Sequence, residues 1–148
     1  MICILSAGKA TAIAATAFTL TWTHSVEKAR WEEHWLAGPD GLTVTEGRIE
    51  GSGAGMEPPD DARLEGGAYV YDLDRAPVPE LVLAASGATG GGWRLCPEDR
   101  PCLELGRDPG PPIVLRWCPA PNPETATPES AGGKPGNEPR VDLPVRDP

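Results

Sequence analysis

The sequence predicts an all-β fold, a compact sandwich or partly closed barrel of about eight to ten short strands with a disordered C-terminal tail. Three observations carry this reading. Gly and Pro number 18 each in 148 residues, a density that favours turns over long helices. Phe18–Val26 and Leu42–Ile49 alternate apolar and polar residues with the two-residue period of half-buried strands. Elsewhere the apolar residues come in short runs between glycines and prolines, the usual marks of strand ends.

In chain order, Ile2–Leu5 is β-prone, Ser6-Ala7-Gly8-Lys9 reads as a turn, and Ala10–Ala15 as an answering strand. Phe18, Leu20, Trp22, His24 and Val26 then share one strand face, with Thr19, Thr21, Thr23 and Ser25 on the other. The segment from Val26 to Ala37 fits either period. As a helix it would be capped by Ser25 and would stack Trp31 on Trp35. As a strand it would line Trp31, Glu33 and Trp35 on one face. Its shortness, and the abrupt stop at Gly38-Pro39-Asp40-Gly41, favour a strand in a hairpin with Phe18–Val26. Leu42–Ile49 follows, with Leu42, Val44 and Glu46 set against Thr43, Thr45 and Gly47. Residues 51–59 are an irregular glycine-rich loop, and Asp60–Leu64 a short helical turn. Ala68–Leu73, Leu81–Ala85, Trp93–Cys96 and Ile113–Cys118 complete the strands, with a second glycine-rich loop at Ser86–Gly92. Eight prolines fall after Cys118, where the hydrophobic period stops. Residues 1–118 are thus expected to form one domain and 119–148 a disordered Pro-rich tail.

A net charge of −9 supplies no basic footprint, so nucleic acid is excluded as a partner and an anionic membrane surface is disfavoured. The first twenty residues are apolar, but Gly8 and Lys9 interrupt them too early for a transmembrane span. Residues 1–17 are expected to belong to the folded domain, with any export signal upstream of Met1. The four cysteines, Cys3, Cys96, Cys102 and Cys118, are an even set that allows more than one pairing. Cys96 and Cys102 enclose a tight polar turn; Cys3 and Cys118 would then join the first and last strands. Free thiols and zinc are the competing readings, and the absence of a Cys-x-x-Cys pair weighs against zinc. Disulfides imply an oxidising, periplasmic or otherwise extracytoplasmic compartment.

Candidate chemistry is concentrated in Thr21–Trp35, which holds both histidines, three of five tryptophans and three glutamates. His24, Ser25 and a glutamate have the residue types of a small hydrolase, but adjacent strand residues face opposite ways, so His34 rather than His24 would have to serve Ser25. A metal site would draw on His24, His34 and a glutamate, at a spacing that is no recognised ligand pattern. In the plainest reading His24 is a neutral core imidazole bonded to a glutamate such as Glu33, fixing sheet register. No catalytic residue, cofactor or metal is therefore assigned, and the chain is read as a non-enzyme. The candidate ligand or partner surface comprises His24, Ser25, Glu27 and Glu33 with the glycine loop at Gly53, Gly55 and Met56.

Three blocks, Trp22-Thr23-His24-Ser25-Val26-Glu27-Lys28 with Trp31-Glu32-Glu33-x-Trp35, Gly51–Pro59, and Leu81–Ala84 with Gly90–Cys96, resemble a bacterial family of exported proteins, domain of unknown function family 1850. The resemblance runs from about Cys3 to Cys118 and leaves the tail outside. Members are commonly encoded beside tripartite ATP-independent periplasmic transporters with a TAXI-type solute-binding protein. The resemblance therefore implies a small extracytoplasmic accessory, with transporter subunits or the solute-binding protein as partners.

Overall fold

A computed structural model describes residues 1–24, 28–51, 58–87 and 91–121. Within them the chain forms eleven strands and no helix: β1 (Ile2–Ser6), β2 (Lys9–Ile13), β3 (Ala17–Thr23), β4 (Arg30–Gly38), β5 (Gly41–Glu50), β6 (Arg63–Glu65), β7 (Ala68–Asp72), β8 (Leu81–Leu83), β9 (Trp93–Pro97), β10 (Leu103–Leu105) and β11 (Ile113–Trp117). All pairings are antiparallel. One sheet has four strands in the order β2-β1-β11-β8, the other seven in the order β10-β9-β3-β4-β5-β7-β6. Neither sheet closes on itself, so the architecture is a sandwich and not a barrel. No described helix is long and apolar enough to cross a membrane.

The alternation written in the sequence sets the faces. Ile2, Ile4, Leu83, Ile113 and Leu115 of the small sheet meet Phe18, Leu20, Trp35, Ala37, Leu42, Val44 and Leu95 of the large one. The largest side chains essentially without solvent contact among the described residues include Leu20, Leu42 and Leu115. Burying a side chain of this size stabilises by roughly 1.5–3 kcal/mol. Phe18 stacks on Trp35 at 6.2 Å and 8°, bridging β3 and β4 inside this core.

The segment with two possible periods is a strand: β4 pairs with β3 along its whole length, Ala17 with Leu36 through Thr23 with Arg30. Two other expectations change. On β5 the register slips, since His34 faces Glu46 but Trp35 faces Val44, so Thr45 is an extra residue. Its hydroxyl donates to the His34 carbonyl at 3.2 Å, and its own carbonyl takes the Leu73 amide. Such a bulge reverses the parity of the strand. Leu42 and Val44 point inward before it, Gly47 and Ile49 after it, so Glu46 does not share the face of Leu42 and Val44. The helical turn expected at Asp60–Leu64 does not form either. Asp60 and Asp61 make a turn closed by the Ala62 amide on the Pro59 carbonyl, and β6 then pairs with β7. Strand β10, a three-residue Leu-Glu-Leu among prolines, was not expected.

Gly41 is required at the β4–β5 turn. Its φ is 124°, and a Cβ there would come within 2.3 Å of the Val78 carbonyl oxygen. That close approach lets Val78 and Leu42 exchange two backbone hydrogen bonds of 2.8 Å.

The thiols pair as Cys3–Cys118 and Cys96–Cys102, with sequence separations of 115 and 6. No described cysteine is free. The first bond ties β1 to the end of β11; the second closes the turn between β9 and β10. In the loop-entropy account the long loop stabilises by about 2.5 kcal/mol more than the short one. The Cys3→Ser/Cys118→Ser variant is accordingly expected to unfold at a lower denaturant concentration than Cys96→Ser/Cys102→Ser. Equal midpoints would show that the entropic term does not govern here.

Candidate functional site

The register of the large sheet lays its inward residues in cross-strand rows. One row runs Pro97, Phe18, Trp35, Val44 and lies within the shared core. The next runs Leu95, Leu20, Glu33, Gly47, Tyr71. The third brings Trp93 beside Trp22, followed by Trp31, Ile49 and Tyr69. Ile49 and Tyr71 are buried but lie outside the core cluster shared with the small sheet. Trp22, Trp31 and Trp93 are half-buried. The large sheet therefore extends its core-facing side beyond its partner sheet, and that extension is aromatic.

The rings are in contact. Trp93 and Trp22 have centroids 5.0 Å apart at 46°, Trp22 and Trp31 5.8 Å at 35°, and Trp31 and His24 5.8 Å at 25°. Offset and tilted pairs of this kind suit the ring quadrupoles. Trp93 is fixed by its indole N–H donating to the Ala84 carbonyl at 2.9 Å. His24 sits just past β3, where its amide donates to the Ala29 carbonyl and its carbonyl accepts from Lys28, at φ 56°. A cavity of about 90 Å³ adjoins the row, bounded by Trp22, Thr23, Trp93 and glycines that include Gly87, Gly91, Gly92 and Gly106.

Glu33 is the acidic member of this face. Trp35 donates its indole N–H to Glu33 Oε2 at 3.0 Å. Among the described residues no Lys, Arg or His forms an ion pair with it. Burial pushes its pKa up, and the Trp35 hydrogen bond only partly opposes that. Across the sheet, a Cβ on Gly47 would lie 2.5 Å from Tyr71 Cζ and 2.6 Å from its hydroxyl oxygen. The Tyr71 phenol thus lies over Gly47 on the way to Glu33. Its own pKa is raised by burial and then by the Glu33 charge.

The structure brings His24 and Glu33 to one face and separates other candidates. The expected His24–Glu33 hydrogen bond is absent, because Trp31 occupies the position between them and Glu33 takes the Trp35 indole. His24 Nδ1 is buried with no hydrogen-bond partner among the described residues. His34 points to the opposite face, where its Nε2 lies 3.4 Å from Glu32 Oε1 and 3.7 Å from Glu46 Oε1. His24 and His34 therefore cannot share a metal ion; the pairing of His34 with Ser25 falls on a serine outside the described residues. Ser25, Glu27, Gly53, Gly55 and Met56 lie outside the described residues, as does the tail from residue 122. Among the described residues no group of three His, Cys, Asp or Glu is placed to hold a metal. Tyr71 and Gly47 were missed in the sequence; their signal, an inward glycine opposite a glutamate, is hidden by the bulge.

Residues 18–105 match the family described as domain of unknown function (DUF1850). The chain belongs to this family. The matched span covers β3 to β10, and so every aromatic of the row together with Glu33, Gly47 and Tyr71. No curated protein and no solved structure matches the chain.

Because Glu33 holds its proton more tightly folded than unfolded, its ionisation opposes folding. Its contribution is most favourable in acid, and is lost as pH rises from the ordinary carboxylate range through the raised folded value. Glu33→Gln keeps an acceptor for Trp35 and removes the charge. It is expected to gain melting temperature over the wild type at neutral pH and to lose that advantage in acid. A difference independent of pH would contradict a buried, uncompensated carboxylate.

Proposed function

We propose that this DUF1850 chain is a non-enzymatic extracytoplasmic binding module, acting as an accessory of a TAXI-type tripartite solute transporter. The observation that carries the binding role is the half-open row Trp93–Trp22–Trp31–His24 beside Glu33. Ligand sites are lined mainly by apolar and aromatic side chains with a few placed polar groups. His24 Nδ1, buried and without a hydrogen-bond partner among the described residues, supports it, since an unpaired polar atom inside a fold is a cost that a ligand or water would relieve. The two disulfides support an oxidising compartment. The transporter as partner rests on the family resemblance. In this reading Ser25, Glu27, Gly53, Gly55 and Met56 complete the surface around His24 and Glu33.

Affinity capture from membranes, with mass spectrometry of the recovered proteins, tests the accessory role. Transporter subunits are expected with the wild type and not with His24→Ala, at equal melting temperature. Capture unchanged by the substitution, or no transporter subunit recovered at all, would sink it. Residues 1–118 are proposed as the whole folded domain and 119–148 as a disordered tail. A chain ending at Cys118 is then expected to melt at the temperature of the full chain, and a clear loss of stability would overturn that division.

A further inference from the structure

We infer that the aromatic row takes a small organic cation, an ammonium group carrying alkyl substituents, with Glu33 as its counter-charge. This rests on the row being a binding site and specifies what it binds. Indole faces carry negative potential and attract an alkylammonium group more strongly than the other aromatic side chains do. Trp22 lies between the other two rings, 5.8 Å from Trp31 at 35° and 5.0 Å from Trp93 at 46°, so indole surface continues across β9, β3 and β4. Glu33 lies on the same inward face, two residues along β4 from Trp31.

The charge balance of the face is lopsided. Glu33 has one hydrogen bond, from a neutral indole, and no cationic partner among the described residues. Arg75 acts on Tyr71, but among the described residues it forms no ion pair with Glu33. Arg30 bonds Glu32 at 3.1 Å on the opposite face, and Arg48 donates to the Glu65 carbonyl at 3.2 Å. Burial raises the pKa of both Glu33 and Tyr71, and at Tyr71 the Glu33 charge raises it further while Arg75 lowers it. An anion would be repelled by carboxylate and ring faces alike. A neutral apolar ligand would cover the rings but leave Glu33 without a counter-charge. A cation satisfies both. His24 Nδ1, buried and without a partner among the described residues, is placed to take a hydrogen bond with a polar group on the ligand. The cavity of about 90 Å³ at the Trp22–Trp93 end of the row has room for a small headgroup and not for a folded partner.

Titration of intrinsic tryptophan fluorescence with choline, and in parallel with its uncharged isostere 3,3-dimethyl-1-butanol, tests this on the full chain. Choline is expected to give a saturable change with an affinity at least about tenfold above that of the isostere. Glu33→Gln, which keeps the Trp35 hydrogen bond, is expected to remove most of that preference while leaving the isostere unaffected. Equal affinities for the two probes would overturn the cation while leaving an aromatic binding site in place. A Glu33→Gln chain that keeps full preference would remove Glu33 as counter-charge. No change with either probe would overturn the site itself.

Discussion

Everything on the inward face depends on the register of the β3–β4 hairpin. Trp22 opposite Trp31, Leu20 opposite Glu33 and Phe18 opposite Trp35 are one continuous pairing, and each places a group that the site or the core needs. A slip of one residue would send Trp31, Glu33 and Trp35 to the solvent side and bring Glu32 and His34 inward. The Phe18–Trp35 stack resists that slip, because it is anchored in the core shared with the small sheet. The site is therefore held by contacts outside it. Its own aromatic row adds to the pairing but does not set it.

The β5 bulge is the second constraint, and it decides what borders Glu33. Without Thr45 as an extra residue, Glu46 would continue inward from Val44 and face Glu33 across the sheet, two carboxylates in a half-buried setting. Like charges so placed repel, and one would be forced to stay protonated. With the bulge, Glu46 turns outward beside His34, where Glu32 and Arg30 also lie. Gly47 takes the inward position instead. Its missing side chain admits the Tyr71 ring, so one inserted residue both removes an acid from the face and lets a phenol reach across it.

This explains what the sequence discloses and what it hides. The period of Phe18–Trp22 is legible because each residue's class matches its side. The inward placement of His24, Glu33 and the tryptophans follows from the same count. The helix–strand ambiguity of Val26–Ala37 could be settled because the turn at Gly38–Gly41 leaves room only for a hairpin. The bulge was not legible, since Thr45 and Glu46 are both polar and fit either parity. It hid the side of Glu46, the role of Gly47 and the place of Tyr71 beside Glu33, while the later strands at Ala68–Leu73, Leu81–Ala85, Trp93–Cys96 and Ile113–Cys118 stayed legible. The supposed metal pair failed on simple parity. His24 and His34 are ten positions apart in sequence, but the β3–β4 register places one inward and the other outward.

Glu33 is where local stability and the fold disagree. Its neighbours in the row are Leu20, which is fully buried, and Gly47 beneath the Tyr71 ring. An apolar side chain would suit that position, and a glutamine would keep the Trp35 hydrogen bond without a charge to desolvate. Burial raises the pKa of a carboxylate there, and its charge adds to burial in raising that of Tyr71. Positions that break a local rule without a compensating contact inside the chain mark places where the compensation comes from outside. The tilt of Trp22, Trp31 and Trp93 around the same face gives that compensation a sign, because rings and carboxylate both favour positive charge. Structure alone would choose a neutral residue at position 33; the negative charge has a physical purpose only when a cation is there to meet it.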